Sequence, residues 1–305
     1  MGKDVKRFKD KYLVLEIVLV ILFIIFLDIF IYYDKKAKDI EKTYDKSEVL
    51  LKEKQDELNS LENENKIYDV DGQIVLTKNE YFKLIKELED KILSGESNKK
   101  VAYLTFDDGP YYNTYKVLDI LDKYNVKATF FTTSINGENC YDKRSVNCMD
   151  LYSEYVKRGH TIANHTYTHA IFKGLYKSVD SFMNAVILQE QRIKEKSGGY
   201  ITNIVRFPGG SNSAGKLKND IIEKLRERNY GWVDWSAQDG DGGSLKSKEQ
   251  AWKNFTSSID EKIEVVLFHD YNSITTSMLP QAIEYLENNG YILLPLFYES
   301  NMVNK

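Results

Sequence analysis

The 305-residue chain has only two cysteines, Cys140 and Cys148, and only four histidines, His160, His165, His169 and His269. Neither cysteine has partners at zinc-cluster spacing, which excludes a cysteine-rich zinc module. The two flank a polar insertion, where a disulfide formed in an oxidising compartment would add roughly 2–3 kcal/mol by restricting the unfolded chain; two free thiols are the alternative. No internal repeat and no low-complexity tract is present, which excludes a repeat architecture. The net charge is −4 and no basic patch is interleaved with aromatics, so nucleic acid is not expected as a partner. What is there is an ordinary 42% apolar content, sufficient for one full core.

The N-terminal part is organised separately from the rest. Residues 1–12 are short and basic, with Lys3, Lys6, Arg7, Lys9 and Lys11, and residues 13–33 are almost wholly apolar, interrupted near the ends by Glu16 and Asp28. About twenty such residues can cross a bilayer. Bulky Ile29-Phe30-Ile31-Tyr32-Tyr33 stands where a signal peptide would be cut, and no small-residue site is present. Residues 13–33 therefore read as an uncleaved, single-pass transmembrane signal anchor, with 1–12 cytoplasmic and the remainder extracytoplasmic, although Lys35, Lys36, Lys38 and Lys42 weaken the charge asymmetry.

Residues 34–66 carry dense charge of both signs and no Gly or Pro. They read as a helical stalk: a single solvated helix or, through a broken heptad frame of Tyr44, Leu51 and Leu58 with Ile40 and Leu61, a dimeric coiled coil. Residues 67–97 form a small turn-helix connector. In it Asp71-Gly72 suggests a tight turn, and Thr77-Lys78-Asn79-Glu80 a capping box opening a helix to about Leu93.

From 98 to 305 the pattern changes to short β-rich runs at about 101–106, 128–132, 161–164, 203–207, 230–235, 264–268 and 291–295. These alternate with helical periodicity at Thr114–Tyr124, Val179–Lys196, Asn219–Arg228 and Pro280–Asn289. Strand–helix alternation implies parallel pairing, and about seven repeats predict a closed or nearly closed α/β barrel. Asp107, His165, Arg206, Asp234 and His269 all fall at or just past the C-terminal ends of the expected strands, the edge where catalytic residues of such barrels gather.

The most informative run is Thr105-Phe106-Asp107-Asp108-Gly109-Pro110. Two adjacent carboxylates at a strand end repel one another unless a cation neutralises one of them. His165 and His169, four residues apart, would present both imidazoles on one face of a helical turn, and Asp108 would complete an Asp-His-His metal set. Three protein ligands leave a position for water, the mark of a catalytic site. Arg206 is the candidate partner for the second carboxylate. His160 precedes its strand and reads as structural.

Five segments, in order, resemble the motifs of the polysaccharide deacetylases, the family-four carbohydrate esterases with the NodB homology domain. They are TFDDGP at 105–110, His165 to His169, Arg206-Phe207-Pro208, Asp234-Trp235 and Leu267-Phe268-His269. The resemblance spans roughly residues 98–297. It implies a distorted (β/α)7-8 barrel, here preceded by the transmembrane helix and stalk, and hydrolysis of an N-acetyl group on a polysaccharide. It further implies Asp107 as general base, Arg206 as the residue that orients it, and His269 as general acid tuned by Asp234. Asp108, His165 and His169 would hold one divalent ion, zinc by default with cobalt or manganese as alternatives. Leu267 and Trp235 would wall the pocket for the acetyl methyl, and the segment Pro208-Gly209 would supply a backbone donor to the oxyanion. Many members have an aromatic residue after R-x-P where this chain has Gly209-Gly210-Ser211, so an aromatic wall of the groove is missing. Such variants resemble bacterial cell-wall deacetylases, which points to peptidoglycan N-acetylglucosamine in the cell envelope. N-acetylmuramic acid, chitin-like, poly-N-acetylglucosamine or O-acetylated glycans, and a non-catalytic glycan-binding tether, are the alternatives. Some of the 22 tyrosines would then stack on sugar faces.

Overall fold

A computed structural model describes residues 27, 31–36, 38, 66–68, 74–138, 140, 148–200, 202–297 and 300. The chain divides into two compact units, 1–79 and 80–305. In the first, strands β1 (Lys66–Tyr68) and β2 (Ile74–Thr77) pair antiparallel, with Lys66 opposite Thr77. Residues 31–36 are helical. Most of the expected anchor (13–33) and stalk (34–66), and the Asp71-Gly72 turn, lie outside the described residues. Among the described residues no helix is long and apolar enough to cross a membrane.

The second unit is built on one parallel sheet: β3 (Lys100–Asp107), β4 (Thr129–Thr132), β5 (Thr161–Asn164), β6 (Ile204–Val205), β7 (Gly231–Trp232), β8 (Ala237–Gln238), β9 (Ile263–His269) and β10 (Tyr291–Leu293). The order is β7-β6-β5-β4-β3-β9-β8, with β10 against the start of β3. Parallel strands need covered faces, and β3 is accordingly buried from Val101 to Asp107. The expected strand at 230–235 proves shorter, for a reason visible in its hydrogen bonds. The Val233 N–H donates to the Val205 carbonyl on β6, whereas the Ser236 N–H donates to the Val265 carbonyl on β9. Residues 233–236 thus carry the chain from one sheet edge to the other. The barrel is joined there by the chain itself, and β7 and β8 stay unpaired with each other.

Side-chain alternation along the strands divides the core. Val101 and Tyr103 of β3 join Phe131, Ala163, Ile204, Val233 and Val265 in the interior cluster. Ala102, Leu104 and Phe106 face the outer layer with Val266 and Phe268 of β9, against helices that include Thr114–Lys123, Lys248–Ser258 and Ser273–Asn288. The last of these begins seven residues before Pro280, with the Asn272 side chain accepting the Ile274 N–H as its cap. The helix Lys78–Leu93 appears where the capping signal places it. From residue 80 onward it belongs to the barrel: Ile85 and Ile92 are buried in the interior cluster, and Phe82 stacks on Phe297 with centroids 4.5 Å apart.

Candidate active centre

Period two along β3 and β9 puts Thr105 and Asp107, and Leu267 and His269, on the same face as Val101 and Val265. Asp107 and His269 are register partners on adjacent strands. His165 follows Asn164, the last residue of β5, and Arg206 follows Val205, the last of β6. Four strand ends therefore deliver these side chains to the C-terminal mouth of the barrel.

His165 and His169 converge, with ring centroids 4.9 Å apart, although not on the helical turn their spacing predicts. Residues 165–170 form an irregular loop in which Thr166 (φ 64°) and His169 (φ 50°) are left-handed. Local side-chain bonds replace the helical ladder: Asn164 Oδ1 accepts from the Thr166 N–H (2.9 Å), and Thr166 Oγ1 from the His169 N–H (3.3 Å). Asp108 is left-handed too (φ 71°), a conformation that Asp tolerates better than most residues. Its carbonyl accepts from Asn136 Nδ2 at 2.9 Å and from Thr133 Oγ1 at 3.3 Å.

One donor atom from each of Asp108, His165 and His169 lies within 4.8 Å of the others. Asp108 Oδ1 stands 3.6 Å from His165 Nε2 and 3.5 Å from His169 Nε2, and this buried oxygen has no hydrogen-bond partner. Donors about 2.0–2.1 Å from a tetrahedral zinc stand about 3.3–3.4 Å apart, so the set fits such an ion. The tautomer fits as well. His165 Nδ1 lies 2.8 Å from the Arg206 carbonyl, which can only accept, so Nδ1 carries the hydrogen and Nε2 presents its lone pair. Burial lowers the His165 pKa to about 3, which keeps it neutral as a ligand must be.

Arg206 is fully buried and donates through Nη1 to Asp107 Oδ1 (2.7 Å) and Thr105 Oγ1 (2.8 Å), through Nη2 to the Asp234 carbonyl (2.9 Å) and through Nε to the Val233 carbonyl (3.3 Å). Burial pushes the Asp107 carboxyl up and Arg206 down, and their mutual attraction opposes both shifts. Asp107 Oδ2 faces the ligand set, 3.6 Å from His165 Nε2.

The carboxylate that holds His269 is Asp241, where the sequence motif suggested Asp234. Asp241 Oδ1 lies 2.7 Å from His269 Nδ1, and its Oδ2 accepts the His269 backbone N–H at 2.7 Å. Burial alone would lower the His269 pKa, but Asp241, Asp108 and Asp107 raise it to about 9. The Thr275 hydroxyl lies 2.8 Å from Asp241 Oδ2 and 2.6 Å from Asp239 Oδ2. Asp234 instead grips the loop after Arg206: its Oδ1 accepts from the Ser211 N–H (2.8 Å) and its Oδ2 from Ser211 Oγ (2.7 Å). The signal for Asp241 was Asp239-Gly240-Asp241-Gly242-Gly243 directly after β8, a two-residue strand too short to stand out. Gly242 must lack a side chain, because a Cβ there would lie 2.9 Å from His269 Cε1.

Gly109 is constrained in the same way, since a Cβ would enter the buried carboxylate of Asp270. Trp235 is half-buried, packs on the interior cluster and lies 5.9 Å from the Arg206 guanidinium; Leu267 is buried, in register between Thr105 and Gln238. Pro208 accepts the Tyr176 hydroxyl on its carbonyl (2.8 Å), and Gly209 is exposed with φ 74°. His160 is structural as expected, its Nδ1 accepting the Ala128 N–H (3.2 Å) while burial lowers its pKa to about 3.

This centre has counterparts in known proteins. Residues 94–227 match the family model described as polysaccharide deacetylase. The catalytic domain of peptidoglycan N-acetylglucosamine deacetylase from Eubacterium rectale superposes with a TM-score of 0.61 and 33% identity, over 68% of this chain and 93% of that one. The chain belongs to the polysaccharide deacetylase family. The polysaccharide deacetylase Bc1974 from Bacillus cereus superposes with a TM-score of 0.59 and 27% identity, over 68% of this chain and 97% of that one. A peptidoglycan-N-acetylglucosamine deacetylase of Bacillus cereus is 34% identical over 144 residues, 47% of this chain and 46% of that protein. The chain is thus a hydrolase of the N-acetyl amide bond, in a family whose members are metal-dependent.

Proposed function

We propose that the protein removes acetyl groups from N-acetylhexosamine residues of a cell-envelope polysaccharide, with peptidoglycan N-acetylglucosamine as substrate and one zinc ion as cofactor. The observation that carries this reading is the proximity of three elements. The Asp108-His165-His169 set lies 3.6 Å from Asp107 Oδ2 and 3.9 Å from His269 Nε2, measured from His165 and from Asp108 Oδ2 respectively. The names of the relatives from Eubacterium rectale and Bacillus cereus support the choice of sugar.

What a divalent ion on Asp108, His165 and His169 supplies when bound is Lewis acidity toward water and the acetyl carbonyl. Asp107, held by Arg206, takes the proton from the attacking water. The N–H of Gly209 donates to the oxygen that gains negative charge. His269, kept protonated through neutrality by Asp241, gives its proton to the leaving nitrogen as the C–N bond breaks. Acetate and a free amine on the sugar result.

In our reading residues 13–33 anchor the protein in the membrane by a single pass, the catalytic unit lies outside, and the stalk 34–66 offers a surface for dimerisation. The Cys140–Cys148 disulfide, with Cα atoms 5.6 Å apart, supports an oxidising location.

The test is acetate release from purified peptidoglycan by the full-length protein with zinc and its Asp107→Asn form, with mass spectrometry of the digested glycan to identify the sugar that loses its acetyl group. Release is expected to fall at least about 100-fold in the variant and to disappear on chelation. No release by the unaltered protein from peptidoglycan, N-acetylglucosamine oligomers or O-acetylated glycans would leave a non-catalytic tether.

A further inference from the structure

Tyr111, three residues after Asp108, and Tyr271, two after His269, are both half-buried. Their rings meet edge to face with centroids 5.3 Å apart at 72°, and the Tyr271 ring lies 5.2 Å from that of His269. The three rings thus form a contiguous cluster beside the general acid, with Tyr111 also packed on the outer hydrophobic layer. On the opposite motif, after Arg206-Phe207-Pro208, the chain carries Gly209-Gly210-Ser211 and no ring, and both glycines have left-handed φ. A Cβ on Gly209 would lie 2.9 Å from Ser213 Oγ and 3.1 Å from Ile171 Cδ1, and one on Gly210 would lie 3.2 Å from the Trp235 ring.

The chemistry of the reaction decides which part of the substrate meets this cluster. His269 protonates the amide nitrogen, and that nitrogen is bonded directly to the sugar ring, while the acetyl methyl lies on the other side of the carbonyl carbon. The pyranose must accordingly sit on the His269 side. Its apolar C–H face then needs a flat, electron-rich partner, which an aromatic ring provides.

We propose that Tyr111 and Tyr271 form the wall on which the sugar bearing the scissile acetamide stacks, and that they select a hexosamine over an acetylated compound lacking a sugar ring. The proposal rests on the deacetylase reading above and places sugar recognition on the Asp108 and His269 loops, away from the glycine-rich loop after Arg206.

The experiment compares the zinc-loaded, full-length protein on a short N-acetylglucosamine oligosaccharide and on 4-nitrophenyl acetate, which has no sugar. Tyr111→Leu, one ring removed from His269, is expected to lower kcat/KM on the oligosaccharide by about 10-fold more than on the ester, mainly through KM. Tyr111→Phe, which keeps the ring, is expected to recover most of the oligosaccharide-specific loss seen in Tyr111→Leu. Calorimetric affinity for the same oligosaccharide reads the wall without catalysis, with Tyr111→Gln as the second exchange if the leucine variant does not fold. Equal losses on sugar and ester, or no loss on either, would overturn the wall and leave the deacetylase reading standing. An unaltered protein that cleaves the ester but no N-acetylated glycan would overturn both.

Discussion

Asp241 touches His269 twice, through Oδ1 to the ring Nδ1 and through Oδ2 to the backbone N–H, each at 2.7 Å. The first contact stabilises the imidazolium, and the second orients the carboxylate that does so. A histidine acid works only while protonated, and with its pKa raised to about 9 His269 holds its proton across neutral pH. Activity should therefore fall as pH rises through about 9. Asp241→Asn removes the charge and returns His269 toward its ordinary value of about 6.5, so the alkaline limb of the kcat/KM profile should move to lower pH, with kcat down by about 100-fold at neutrality. An unmoved limb would remove Asp241 from this role.

Asp234 should behave differently because both its oxygens are taken up by Ser211. Asp234→Ala leaves the buried Ser211 N–H without that acceptor, a loss of about 1–3 kcal/mol. Urea unfolding should register it, whereas the alkaline limb set by His269 should stay in place. A shifted limb in Asp234→Ala would return the tuning role to this residue.

Asn136 supports the ligand set through the Asp108 carbonyl (2.9 Å). It helps fix the left-handed turn that aims Asp108 at the two histidines. Supporting groups of this kind typically contribute 10- to 100-fold in metal affinity. Titration of the apoprotein with zinc should show a loss of roughly that size in Asn136→Ala, with the far-ultraviolet circular dichroism unchanged.

Ile85 tests where the folding unit begins. It lies on the helix Lys78–Leu93, which the sequence pattern separates from the barrel, yet it is only 4% exposed and packs into the interior cluster. Ile85→Ala should cost about 2–5 kcal/mol, and a chain beginning at residue 98 should lose cooperative unfolding that a chain beginning at residue 74 retains. Equal denaturation midpoints for those two chains would show that the helix is dispensable.

The sequence by itself determined the parallel α/β architecture, because apolar strands and amphipathic helices of different period alternate along it. It also determined that Asp107, His165, Arg206, Asp234 and His269 stand at or just past strand ends, since each lies at the end of a short β-rich run or directly after it. Only the tertiary structure decided which carboxylate serves His269. Asp241 lies beyond β8, whose two residues carry no periodicity, and it reaches β9 because residues 233–236 cross between the sheet edges. The histidine pair likewise converges through left-handed residues held by Asn164 and Thr166. Such bonds depend on atoms brought together by folding, and spacing along the chain does not encode them.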